Sequence, residues 1–125
     1  KYNRPPFFVS HPAVKGYFDE EFNAIEATDD GYVAVGSSCS SNRDLKAVGN
    51  RGGSDALVVT FSNGGSLKSI QSYGGSRDDS FGGVCVLSDG QIIACGSTYS
   101  DNGDLIGSKY LSSGSASMGM IARFK

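Results

Sequence analysis

The stretch 61–81 reads FSNGGSLKSIQSYGGSRDDSF, which is a turn, a short strand, a glycine corner and an acidic pair that leads into another strand. Short runs rich in apolar residues predict β-strands, and clusters of Gly, Asn, Asp and Ser predict the turns between them. A weaker copy of the stretch stands at 2–22, where KGYFDEEF replaces GGSRDDSF. The sequence therefore predicts a repeated β unit.

The remainder of the chain repeats in the same way. Residues 22–45 (FNAIEATDDGYVAVGSSCSSNRDL) match residues 81–105 (FGGVCVLSDGQIIACGSTYSDNGDL). Asp-Gly between two apolar strands predicts a hairpin with a type I′ turn, which needs positive φ at both central residues. A third strand, DALVVTF at 55–61, matches MGMIARF at 118–124. Together with 61–81 and its copy, these matches define two units of about 60 residues, each with four predicted strands.

The predicted fold is all-β, with two four-stranded antiparallel blades of the β-propeller type in one domain, 1–125. The first blade spans 22–80. The second spans 81–125 and is completed by 1–21, so that strands from both ends of the chain close the last blade. The predicted core residues are apolar strand positions: Phe22, Ile25, Val33, Val35, Leu57, Val59, Phe81, Val84, Ile92, Ala94, Met120 and Ile121.

The motifs GGSRDDSF and SDGQIIACGSTYSDNGDL resemble the β-propeller repeat of bacterial secreted and surface proteins, in the kelch-like propeller group. Repeats of that family run Gly-Gly-x-x-x-Asp-x-Phe, then Asp-Gly-Gly-Tyr, then an apolar strand to Gly, then Asn-Asp-Gly-Asp. The first unit departs from this pattern at KGYFDEEF and SSNRDL. The resemblance implies a propeller outside the cytoplasm, extracellular or at the cell surface, with no catalytic motif.

Composition excludes several classes of function. The net charge is -2, and no basic stripe is present, so we expect no nucleic-acid partner. The sequence has no apolar run of about 18 residues, so we expect no membrane insertion. The chain does not begin with Met and shows no signal peptide, and we therefore expect a mature chain whose targeting segment has been removed.

The three cysteines, Cys39, Cys85 and Cys95, show no metal-binding or disulfide-framework spacing. The predicted hairpin brings Cys85 and Cys95 onto neighbouring strands, near each other but not directly opposite. A disulfide between these two stays open at this point. The simpler interpretation is that they are buried small apolar side chains.

The loop 100–108, SDNGDLIGS, and the polar stretch after it hold the candidate binding site. Loops on a rigid β scaffold often carry binding, and tyrosine can stack on a sugar or peptide while forming a hydrogen bond. The candidate ligand-binding residues are Tyr99, Asp101, Asn102, Asp104, Lys109 and Tyr110. The acidic and amide oxygens also suit calcium, but the spacing is not that of an EF-hand, and an Asx-type turn explains them equally. No cofactor and no metal site are predicted, with calcium kept as a weak alternative.

The acidic pairs Asp78-Asp79 and Glu20-Glu21 each precede a predicted core Phe. Paired carboxylates can catalyse glycoside hydrolysis. One catalytic centre does not need to recur in every repeat, however, so these pairs are interpreted as turns that link the blades. The single histidine, His11, has no nucleophile elbow to accompany it, and no enzymatic activity is predicted.

The predicted function is a non-enzymatic extracellular binding module that recognises a glycan or a protein through its loops. Two alternatives remain: a purely architectural segment of a larger bacterial surface protein, and a glycoside-active enzyme that uses an acidic pair. Two blades are too few to close a propeller, which has 4–8. We therefore expect a homo-oligomer or a part of a larger propeller.

Overall fold

The computed structural model describes residues 13–16, 18–105 and 117–124, apart from the side chain of Leu105. Within these ranges no helix is long and apolar enough to cross a membrane. The elements, in chain order, are β1 Glu20–Thr28, β2 Gly31–Ser38, a 3₁₀ helix Arg43–Leu45, β3 Asp55–Ser62, β4 Leu67–Tyr73, β5 Asp79–Val86, β6 Ile92–Thr98, a 3₁₀ helix Gly103–Leu105 and β7 Met118–Phe124.

The strands form two antiparallel sheets. The first sheet has the order β1-β2-β3-β4 and the second has the order β5-β6-β7. The predicted all-β fold is confirmed, and the first sheet contains the four strands assigned to the first unit. The predicted fourth strand of the second unit was placed in 1–21, which lies largely outside the described residues. Within the described ranges neither sheet closes on itself, so the arrangement as propeller blades stays a prediction.

Both predicted hairpins are present, but the predicted turn type is wrong. In the first hairpin neither Asp30 nor Gly31 has a positive φ. In the second, the amide of Leu87 donates to the carbonyl of Gln91 at 2.8 Å, and Gly90 has a φ of 87°. A longer loop that ends in a left-handed glycine is also common in hairpins. The second Asp-Gly pair therefore serves this loop instead of a two-residue turn.

The main core lies between the two sheets. Its buried residues come from β2 and β3 in the first sheet and from all three strands of the second: Val33, Val35, Ala56, Val58, Phe81, Ile92, Ala94, Met120 and Ala122. Full burial of a large apolar side chain stabilises a fold by about 1.5–3 kcal/mol. The contact between the sheets is therefore the main source of stability in the described part of the chain.

The first sheet is also apolar on its other face. A second cluster there joins four strand residues to two residues outside the strands: Ala34, Leu57, Val59, Phe61, Val14 and Leu45. The central strands β2 and β3 thus carry apolar residues on both faces, as strands covered on both sides do.

Three of the predicted core residues are exposed, and their assignment to the core is wrong. Phe22, Ile25 and Ile121 have exposed fractions of 43%, 63% and 76%. They lie on the two sheet faces that point away from the contact between the sheets. Val84 is half-buried, and the other predicted core residues are buried. A strand of a two-faced sheet carries apolar residues on both sides, and the sequence does not show which side is covered.

The cysteines are free and exposed, so the predicted burial is wrong. Cys95 pairs with Gly83, and Cys85 pairs with Ile93. Cys85 and Cys95 therefore lie on neighbouring strands without facing each other directly, as predicted from the hairpin.

A β-bulge occurs at the same place in both sheets. The register shifts after Phe22 in β1 and after Phe81 in β5, and in each case the residue opposite is a glycine, Gly36 or Gly96. A Cβ at either glycine would collide with a main-chain carbonyl of the bulged strand. The glycine that ends the apolar run in both units is therefore required by the close approach of two backbones.

We expect Gly96→Ala to destabilise the fold by about 1–3 kcal/mol, because the backbone around Ser80 must move to admit the methyl group. Gly82→Ala is the matched control, since a Cβ there meets nothing within 4 Å. Its effect should stay within about 1 kcal/mol. Urea unfolding at one protein concentration measures both variants, and equal losses of stability would contradict this role of Gly96.

Candidate functional site

A buried carboxylate organises the corner that leads into the second sheet. Asp79 begins β5 with an exposed fraction of 1%. Its Oδ2 accepts hydrogen bonds from the amide of Gly75 and the hydroxyl of Ser100, both at 3.1 Å, and its Oδ1 accepts one from the hydroxyl of Thr98. The carboxylate thus joins the glycine corner before β5 to the end of β6.

The first sheet has the same arrangement. Glu20, which begins β1, accepts hydrogen bonds from the amide of Gly16 at 2.9 Å and from the hydroxyls of Ser38, at 3.0 Å, and Ser40. Glu20 has the same position in the first sheet that Asp79 has in the second, and we call two residues related in this way counterparts. These contacts support the structural interpretation of the acidic pairs.

The predicted ligand residues Asn102 and Asp104 hold the same corner from the other side. The side chain of Asn102 accepts from the amide of Ser76 at 2.8 Å and donates to its hydroxyl at 3.0 Å. Asp104 accepts from the amide of Gly74 at 3.0 Å through Oδ2, and its own amide donates to the carbonyl of Gly74 at 2.9 Å. Both side chains therefore brace the distant corner at 74–76, and their bonds are not those of the local Asx-type turn that was the alternative to a calcium site.

The first unit repeats this brace with Asp44. Its Oδ2 accepts from the amide of Lys15 at 2.8 Å, and its amide donates to the carbonyl of Lys15 at 3.0 Å. Arg43, with a φ of 52°, and Gly103, with a φ of 61°, are counterparts in the two 3₁₀ helices. Arginine here adopts the left-handed conformation that glycine adopts more easily.

Tyr99 lines a shallow groove at the loop end of the two sheets. The groove has a volume of about 390 Å³ and is lined by Gly53, Ser76, Arg77, Asp78 and Tyr99. The ring of Tyr99 is at the border of exposure, with an exposed fraction of 37%. Of the other predicted site residues, Asp101 is exposed, while Lys109 and Tyr110 lie outside the described residues.

The wall of the groove opposite Tyr99 is the loop before β3. The amide of Ser54 donates to Oδ1 of Asp78 at 3.1 Å, and the amide of Asp79 donates to the carbonyl of Ser54 at 2.8 Å. Gly53 lies beside Asp78 with a φ of 53°. Gly53, Ser76 and Asp78 are not among the predicted ligand residues, because the groove forms only where the loop before β3 meets the corner before β5.

Asp55, the first residue of β3, is a second buried carboxylate. Its Oδ2 accepts from the amide of Arg51 at 2.9 Å and from the Arg51 guanidinium at 3.1 Å, whereas its Oδ1 has no hydrogen-bond partner. Burial raises the pKa of Asp55, against the contacts with Arg51, and the nearby charge of Asp79 raises it further. Burial also raises the pKa of Asp79, against its hydrogen bonds from Thr98, Gly75 and Ser100. In the described ranges no three acidic, cysteine or histidine side chains are grouped as metal ligands.

We expect Asp79→Ala to destabilise the fold by about 3 kcal/mol, because it leaves buried donors of Gly75, Thr98 and Ser100 without an acceptor. Asp78→Ala is the control, since that carboxylate is exposed and should cost less than about 1 kcal/mol. Urea unfolding at neutral pH compares the two. A larger effect at Asp78 than at Asp79 would contradict the corner role.

The raised pKa of Asp55 predicts a pH dependence of folding stability. Between the ordinary value of 3.8 and the raised value, the folded protein keeps a proton that the unfolded chain has lost. The free energy of unfolding should therefore fall as pH rises through this window, by about 1.4 kcal/mol per pH unit for this group, and be constant above it. Asp55→Asn should reduce the fall, and Asp101→Asn, which removes an exposed carboxylate, should not. Urea unfolding at a series of pH values tests this, and an unchanged slope in Asp55→Asn would contradict it.

Comparison of the sequence with protein-family models and with curated proteins, and of the fold with solved structures, finds no match. The resemblance to a propeller repeat therefore rests on the quoted motifs alone. The candidate site is the groove beside Tyr99, which lies where the corner before β5 meets the loop before β3.

Proposed function

We propose that the chain is a non-enzymatic binding module, extracellular or at the cell surface, built from propeller-type blades. Its site is the groove beside Tyr99, and its ligand is a glycan. The observation that carries this proposal is the position of a partly exposed tyrosine ring beside an exposed carboxylate and hydroxyl, Asp78 and Ser76, on a braced corner.

The chemistry of the groove suits a sugar. A tyrosine ring can stack on the apolar face of a pyranose while its hydroxyl forms a hydrogen bond. Asp78 uses one oxygen for the amide of Ser54, and its other carboxylate oxygen can accept from a sugar hydroxyl. Because Asn102 holds Ser76 through two hydrogen bonds, the groove is rigid before a ligand arrives, which lowers the entropic cost of binding.

The state of the acidic residues favours binding over hydrolysis. A glycosidase needs two carboxyl groups that flank the scissile bond. Asp79 is buried and its oxygens accept hydrogen bonds from three donors of the protein. Asp78 is the exposed member of the pair and the one that lines the groove.

The groove lies where the two units meet, with Gly53, Ser76, Arg77 and Asp78 from the first and Tyr99 from the second. The counterpart of Tyr99 is Cys39, and the counterpart of Arg77 is Phe18, whose side chain is exposed. The corner before β1 therefore carries an exposed ring, Phe18, at a different position and has no tyrosine in the place of Tyr99, so we expect one glycan site per chain.

A glycan array followed by calorimetry with the best glycan tests the proposal. We expect Tyr99→Ala to weaken binding about fivefold, since a lost stacking contact costs on the order of 1 kcal/mol. Tyr99→Phe should keep most of the affinity, and Ser88→Ala, in the distant turn between β5 and β6, should keep all of it. Absence of binding across the array, or binding that Tyr99→Ala leaves unchanged, would overturn the proposal.

A further inference from the structure

The contact between the two sheets joins two different kinds of face. On the first sheet, the front face is the face that carries Val33, Val35 and Val58. On the second sheet, the front face is the one that carries the matching residues. On the second sheet, the back face is the face that carries Phe81 and Ala94. On the first sheet, the back face is the one that carries the matching residues. Inside the chain, the front face of the first sheet packs on the back face of the second.

The strand registers define which residues are counterparts. Phe22 opposes Gly36 in the first sheet as Phe81 opposes Gly96 in the second, and the remaining pairs follow in step. The front-face residues Val33, Val35 and Val58 therefore correspond to Ile93, Cys95 and Ile121. The back-face residues Phe81, Val84 and Phe124 correspond to Phe22, Ile25 and Phe61.

On each unpaired face some counterparts are apolar and exposed, and Arg123 also lies on the front face of the second sheet, opposite Ile93. Val58 has an exposed fraction of 2%, whereas Ile121 has 76%. Phe81 is fully buried, whereas Phe22 is exposed at 43%. Val84 packs against the core between the sheets, whereas its counterpart Ile25 is exposed. The second sheet thus has an exposed front face at Ile121. The back face of the first sheet is exposed along β1, whereas its β2 and β3 residues are buried in the second cluster with Val14 and Leu45.

One pair of phenylalanines meets in the same way on the two back faces. Phe81 and Phe124 meet edge to face, with ring centroids 6.1 Å apart and planes at 86°. Phe22 and Phe61 meet at 6.5 Å and 83°. Inside the chain, Tyr73 of the first sheet packs on both Phe81 and Phe124.

The unpaired back face is also concave. An open depression of about 450 Å³ lies on it. Its lining residues come from β1, β2 and β3: Phe22, Asn23, Ala24, Ile25, Tyr32, Ala34 and Phe61. Apolar surface of this kind that stays exposed marks an interaction site in a soluble protein.

From this match we infer that two copies of the chain dock on each other. One copy contributes the front face of its β5-β6-β7 sheet, and the other contributes the back face of its β1-β2-β3-β4 sheet. Inside the molecule, residues of the first sheet's front face cover the back face of the second sheet. The second sheet's front face carries the counterparts of those residues, so a second copy of the chain is the occupant that fits. The contact would repeat the internal one, with Ile93, Cys95 and Ile121 in the places of Val33, Val35 and Val58. The inference does not depend on the proposed glycan site.

A contact between two different faces is directional. Each copy that docks presents a further free face, so head-to-tail contacts either close into a ring or continue as a filament. A contact between two identical faces would instead stop at a dimer. This difference makes the geometry testable by single substitutions on one face at a time.

Solution mass by light scattering after size exclusion tests the inference with the 125-residue chain. We expect the native chain to form a discrete oligomer, a multiple of 13.0 kDa. Ile121→Lys on the front face and Ile25→Lys on the back face should each give a monomer, because each places a charge in an apolar contact. Ser88→Lys, which adds the same charge in an exposed turn, should stay oligomeric.

A mixture of the two interface variants decides the direction of the contact. Ile121→Lys keeps an intact back face, and Ile25→Lys keeps an intact front face. We therefore expect an equimolar mixture to form a dimer and nothing larger. A monomeric native chain would overturn the inference, as would dimers of either variant alone, since those would mean a contact between like faces.

The native cysteines provide a second measurement that does not rely on the folding of a variant. Cys95 is the counterpart of the buried Val35, while Cys39 lies outside both faces. In the native oligomer, maleimide labelling mapped by mass spectrometry should modify Cys39 and spare Cys95. Dilution to monomer should expose Cys95. Equal labelling of the two at high protein concentration would overturn the inference.

Discussion

The described structure depends on one carboxylate in each unit, placed at the first position of the first strand. Burying a charged group is unfavourable unless several donors satisfy it. The buried Asp79 and the half-buried Glu20 each accept from a glycine amide before the strand, from the hydroxyl of the last residue of the next strand, and from a serine hydroxyl two residues later. The carboxylate thereby fixes the entry to each sheet, and the sheet faces and the groove follow from that entry.

The same corner decides how the units stack. Because the first strand of each sheet begins at such a corner, apolar residues fall on matching positions of both faces in both sheets. The front face of one sheet then fits the back face of the next, as it does between the two sheets of this chain. A stack of sheets that each have two apolar faces leaves one apolar face uncovered at each end of the stack. This property leads to the proposed contact between copies.

The sequence predicted much of the fold, and for a physical reason. Strand positions and antiparallel order follow from local patterns, because turn residues and alternating apolar residues act over a few positions. The exposure of Ile121 and Ile25 was not predictable, since it depends on whether another sheet covers that face. The same holds for the groove, where Ser76 and Asp78 come together with Tyr99 only once two distant loops meet.

The two units differ where a ligand would bind and agree where the backbone must be held. The corner acceptors, the hydroxyls that they bind and the glycine opposite each bulge are present in both units. Tyr99 and Arg77, by contrast, have Cys39 and Phe18 as counterparts. Because the backbone geometry is the same, replacing a few groove side chains changes binding without changing the scaffold. The proposed site can therefore lie where the corner at 76–78 meets Tyr99, while the matching corner before β1 has the same backbone and different side chains.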